Sequence, residues 1–317
     1  MNHRPQNPMM TAPSPHPPVR RSFFRRLAPA MVLFVLAPIC GEYLLGNLKF
    51  SEMLYVPFIA PLYGGGALLI RECTRRAGRG YPTMLILGIA YACIEEGLVD
   101  QMFFNPLYFP GQEQLMTTVI PLLGIDAWLT IIVIAMHAVW STCIPIILVE
   151  AIFAAHGTTP WLRLPGFVGV AVLFIGGAVW LGQNVAQANG FVASAPQLLG
   201  TAIVIVTLSS AAFTLRDRAR APVRQGVPNP WMTGGLAFIT SSLFMLTEVL
   251  PGWTRVGACI FIAAAGFIVI FRWAQRSTWN ALHTLSLAGG ALLTYASLGA
   301  LMEPETGSKT SILARWS

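Results

Sequence analysis

Six ionisable side chains stand at positions where the surrounding sequence offers them no water. They are Glu42, Glu95, Glu96, Asp100, His137 and Glu150, in a 317-residue chain that is 55% hydrophobic and only 10% charged. Two adjacent carboxylates out of water resist ionising together, so one keeps its proton at neutral pH and becomes a proton carrier. An imidazole within reach could share that proton or hold a water. Carboxylate, imidazole and water are the minimum for a hydrolytic centre, and equally for a proton path. Glu96 and Asp100 are four residues apart, as are His137 and Ser141, so each pair shares one helix face. Glu150 lies further along, off this level. The structural alternative is a single histidine bridging helices and a buried Glu bonded to backbone. A level set of acids with a histidine costs too much for packing alone, since each charge at a helix centre costs about 2.5–3.5 kcal/mol.

The elements that must carry these residues are membrane helices. Mean hydropathy is +0.63, and the 33 charged side chains gather in a few clusters, which excludes a water-facing globule, a disordered chain and a coiled coil. A bilayer core of about 30 Å takes about 20 apolar residues per helix. Nine stretches qualify: 27–48, 53–71, 82–104, 127–154, 166–186, 196–215, 232–250, 256–275 and 280–301. In lipid they must be helices, because no water satisfies the backbone. The fold class is therefore all-α, a polytopic membrane helix bundle. At 1.5 Å per residue, Glu95 lies roughly 13 Å, His137 roughly 15 Å and Glu42 roughly 9 Å below the same membrane face. Three helices thus bring their ionisable groups to overlapping depth.

Charge sets the expected orientation. With the N-terminus inside, sixteen of the twenty basic residues fall in inside segments, Arg71, Arg75, Arg76 and Arg79 among them, and four fall outside. This predicts an inner-membrane protein with a cytoplasmic N-terminus and an external C-terminus. Residues 1–26 read as a disordered, proline-rich basic tail, 27–301 as the bundle and 302–317 as a short tail. The run Arg20-Arg21-Ser22-Phe23-Phe24-Arg25-Arg26 is similar to a twin-arginine signal, but the many spans behind it favour an anchor for the first helix. Paired glycines within the spans, such as Gly64-Gly65-Gly66, Gly234-Gly235 and Gly289-Gly290, point to close helix packing. The segment 105–126, without Lys or Arg, is expected to lie on or dip into the outer interface, or to be a plain connection. His156 and His283 are expected at the interface.

The sequences Ala92-Cys93-Ile94-Glu95-Glu96-Gly97-Leu98 and Met136-His137-Ala138-Val139-Trp140-Ser141, on consecutive spans, resemble the superfamily of glutamate-dependent intramembrane proteases. That superfamily includes the CAAX-processing, bacteriocin-processing and PrsW-type enzymes. The resemblance covers about residues 90–150. It implies that Glu95 or Glu96 activates water to cut a peptide bond in or near the membrane, with His137 supporting the water or the oxyanion. Asp100, Ser141 and Glu42 would be supporting residues. Asp100 stands where the CAAX-type pattern has Arg.

The other readings are a proton-coupled transporter or permease, in which Glu42 and Asp100 lengthen the path, and a non-catalytic membrane scaffold. No HExxH or comparable spacing signals a metal, and no cofactor is implied. The five cysteines are odd in number and form no CxxC. The expected partners are membrane lipids and, on the resemblance, a membrane peptide or lipidated substrate. The basic charge falls between apolar runs and does not indicate nucleic acid.

Overall fold

The structure, a computed structural model, describes residues 23–108, 116–214 and 226–301. Among these residues are nine helices: α1 (Phe23–Pro38, continuing into Ile39–Tyr43), α2 (Phe50–Arg76), α3 (Tyr81–Val99), α4 (Ala127–Ile152), α5 (Leu164–Asn189), α6 (Ala195–Thr214), α7 (Pro230–Val249), α8 (Gly252–Ala274) and α9 (Ala281–Leu301). Eight are long and apolar enough to cross a membrane, and α1 is a shorter apolar helix. All nine coincide with the stretches read from sequence, with shifted ends. The first helix begins at Phe23, inside the expected tail. The third ends at Val99, before the expected 104. The second runs on to Arg76, so Arg71, Arg75 and Arg76 belong to a helix and not to a loop. The remainder of the N-terminal tail and the tail 302–317 lie outside the described residues.

Helices α2, α3 and α4 form the buried centre, and α5 has no buried residue at all. α4 joins two cores. One unites Leu33, Leu62, Leu68, Met84 and Ile146; the other unites Leu45, Trp128, Ile144, Phe244 and Tyr295. Helix contacts are close where a glycine lets another backbone in. A Cβ on Gly64 would overlap the Phe34 carbonyl of α1, and one on Gly290 would overlap the Gly234 carbonyl of α7. Pro38 explains the first contact, because it has no N–H for Phe34 four residues earlier and leaves that carbonyl facing α2. Only one glycine of each pair makes such a contact: nothing lies near a Cβ on Gly235 or Gly289.

Between α3 and α4 a two-stranded antiparallel hairpin pairs Val119–Ile120 with Ile125–Asp126. Asp126 closes it, accepting from the Thr118 backbone at 2.7 Å and hydroxyl at 2.7 Å, and then capping α4 through the Leu129 N–H at 3.0 Å. Its apolar tip carries Leu122, which is 93% exposed. Residues 109–115 of this connection lie outside the described residues. His283 lies at the start of α9, buried, where its ring contacts Asn280 and the Pro228 carbonyl.

Candidate functional site

Each helix that carries Glu42, the Glu95–Glu96 pair or His137 widens into a π turn where that residue sits. The π segments are Ile39–Tyr43 in α1, Glu95–Val99 in α3 and Met136–Cys143 in α4. In α3 the widening is visible in the Asp100 N–H, which donates to the Glu95 carbonyl five residues back at 2.7 Å. In α4 the cause lies at Pro145, whose ring would clash with the Ser141 carbonyl in a regular helix. Such turns re-aim side chains and recur at functional sites. Here three of them stand side by side.

Gly88 brings α3 and α4 together, since a Cβ there would lie 2.8 Å from the Thr142 hydroxyl and 3.0 Å from the Ala138 Cα. Beside this contact, His137 reaches α3. Its Nε2 lies 2.7 Å from Glu96 Oε1, a hydrogen bond, and its Nδ1 lies 3.0 Å from Glu95 Oε2. The second contact has the length of an ion pair without the alignment of a hydrogen bond, so it is electrostatic. The imidazole is thus held between two carboxylates, all three groups being buried. One oxygen of each carboxylate, Glu95 Oε2 and Glu96 Oε2, remains without a hydrogen bond.

The supporting residues surround this centre. Glu42 accepts a 2.6 Å hydrogen bond from Tyr63 of α2. Tyr63 and Tyr91 flank the His137 ring, with centroids 5.8 and 6.2 Å away. Ser141 packs on Gly41, where a Cβ would come within 2.7 Å of its hydroxyl oxygen. Asp100, just past the end of α3, accepts from the Tyr108 hydroxyl at 3.1 Å. Burial and the neighbouring Asp100 and Glu96 carboxylates hold the Tyr108 phenol well above its usual range, so it stays a neutral donor. Beyond Asp100 the chain turns through Gln101, which takes a positive φ of 56°. The Gln101 side chain accepts from the Ala193 N–H at 2.6 Å and ties this turn to the α5–α6 connection.

All six residues read from sequence therefore gather around one place: Glu95, Glu96 and His137 in mutual contact, and Glu42, Asp100 and Ser141 at its edge. The tyrosines were missed. Tyr91 carried a signal, being four residues before Glu95 on the same helix face, and Tyr63 carried another, as a hydroxyl in mid-span that needs a partner. Nothing in the sequence marked Tyr108.

Glu150 belongs elsewhere. It accepts from Arg71 at 3.1 Å, from Arg75 at 2.9 Å and from Tyr81 at 3.0 Å, in a second buried charged cluster. Among the described residues no group of His, Cys, Asp and Glu has the arrangement to hold a metal ion.

A model of an uncharacterised membrane protein family matches residues 31–313. The chain belongs to that family. The match covers α2 to α9 whole, α1 from Met31 on and both ionisable clusters, so this member is a multi-pass membrane protein whose acidic layer lies within the matched residues. No curated protein matches the chain, and no solved structure does.

Proposed function

We propose that the layer formed by Glu95, Glu96 and His137 is a hydrolytic centre that cuts a peptide bond within the membrane, in the manner of the glutamate-dependent intramembrane proteases. The observation that carries this reading is the imidazole set between two carboxylates, with Glu96 Oε2 left without a partner. An unspent carboxylate oxygen is the acceptor a water needs. In the proposed reaction Glu95 or Glu96 takes a proton as the water oxygen adds to the peptide carbonyl carbon. His137 then relays that proton to the nitrogen as the C–N bond breaks, leaving a carboxylate and an amine. Glu42, held by the Tyr63 hydroxyl at 2.6 Å, stands at the edge of this layer. The gathering of Arg71, Arg75, Arg76 and Arg163 toward one end of the bundle supports an inner-membrane placement with the N-terminus in the cytoplasm.

The test compares membrane peptides in cells producing the native chain, Glu95→Gln, Glu96→Gln or His137→Ala at matched protein levels. Uncleaved membrane polypeptides should accumulate in all three variants. Unchanged processing would remove the reading.

A second reading is favoured by one further observation: hydrogen-bonded acids flank the centre on two sides, Glu42 with Tyr63 and Asp100 with Tyr108. Such a row also suits proton transfer across part of the membrane. Sealed vesicles holding the purified chain separate the two. Proton leakage abolished by Glu96→Gln supports the route, whereas proton-tight vesicles leave the hydrolase.

A further inference from the structure

A cavity of about 380 Å³ lies between α4, α7, α8 and α9, with Leu85 of α3 at its edge. None of the acidic-layer residues lines it. Its walls include Trp140, Ile147, Phe244, Ile262 and Ala288, and no charged residue. Two of the polar groups there are committed elsewhere: Trp140 Nε1 donates to the Ala291 carbonyl at 2.8 Å, and the Thr240 hydroxyl donates to the Leu236 carbonyl at 2.8 Å. An apolar cavity of this kind does not hold water. Each lining stretch sits near the middle of its helix, so the cavity lies at the depth where the membrane contains only hydrocarbon. Its α8 wall is open, because Phe267 there is 54% exposed.

The size selects among apolar occupants. One turn of helix, about 10 Å across and 5.4 Å long, fills about as much space as the whole cavity. A transmembrane segment is therefore too thick to enter, and a single polymethylene chain is not. We propose that this cavity binds one acyl tail of a bilayer phospholipid, entering on its α8 side. This site is independent of the reading given to the acidic layer.

The experiment uses the full chain in vesicles of phosphatidylcholine that carries a photoreactive diazirine at mid-chain, with adducts mapped by mass spectrometry. Phe244 is 5% exposed and Ala288 2% exposed, so only an occupant of the cavity reaches them, whereas Val172 on α5 is 64% exposed and serves as the reference for surface lipid. Adducts are expected on Phe244 and Ala288. They should be lost in Gly266→Phe, which places a ring in the cavity, with the Val172 adduct unchanged. The milder Ala263→Leu, expected to reduce them several-fold, covers the case in which the larger ring disturbs folding, and thermal unfolding in detergent checks both. Adducts confined to exposed residues, or undiminished in both variants, would overturn the proposal. So would their displacement by an acylated peptide and not by an equal amount of unlabelled phospholipid.

Discussion

Two buried charged clusters share the same helices and are built on opposite principles. On α2, Tyr63 belongs to the acidic layer and Arg71 to the arginine cluster, roughly 12 Å apart. On α4, His137 and Glu150 are roughly 20 Å apart. In the arginine cluster every carboxylate oxygen is taken. Glu72 accepts from Arg71 at 2.7 Å, from Arg76 at 3.1 Å and from the Trp161 and Leu162 backbone N–H groups at 2.8 and 3.2 Å. Arg71 also lies over the Trp161 ring, 3.6 Å from its centroid. Three guanidinium groups answer two carboxylates, and two of those residues, Arg71 and Glu72, are wholly buried. In the acidic layer four carboxylates face one imidazole, and Glu95, Glu96 and Asp100 each keep an oxygen without a hydrogen bond. A buried cluster whose acceptors are all taken fixes helices. One with unspent acceptors has valence left for a substrate, a water or a proton.

The largest expected difference between the two follows directly. Glu72→Ala takes one of its two carboxylate partners from the wholly buried Arg71 and should cost about 3–5 kcal/mol. Glu96→Gln keeps shape, removes excess negative charge and should change stability by less than about 1 kcal/mol. Thermal or denaturant unfolding in detergent reads both, and equal losses would break the contrast. Next in size is Gly88→Ala, whose methyl group would press on Thr142 and Ala138 and part α3 from α4. A loss of about 1–3 kcal/mol is expected, together with loss of whatever activity needs Glu96 against His137. Retained activity in a destabilised Gly88→Ala protein would show that the site does not depend on this approach. A smaller loss than that of Glu72→Ala or Gly88→Ala should come from Tyr63→Phe, which removes one hydrogen bond to Glu42 at about 1 kcal/mol. It sharpens the comparison through activity: a supporting role for Glu42 predicts partial loss, and full activity would place Glu42 outside the working site.

Much of this was legible without coordinates. All nine helices were readable, since a bilayer imposes one length and one secondary structure on each apolar run. The depth of the acidic layer was readable too, because rise per residue alone fixes it. The arginine cluster was not. Arg71, Arg75 and Arg76 have the composition of a cytoplasmic loop, and only the continuation of α2 to Arg76 turns Arg71 inward to meet Glu72 and Glu150. Likewise Glu150 stood in the sequence as a lone acid of uncertain purpose, because its partners come from α2 and α3.

From sequence alone came the helices, their number and the level at which Glu42, Glu95, Glu96 and His137 lie. The tertiary structure decided which of those groups touch. Depth along a helix is a sum of identical steps, but rotation about its axis is set by what packs against it. Here that means Gly88 against Ala138, Gly64 against Phe34, and three π turns that displace the side chains from regular helical positions.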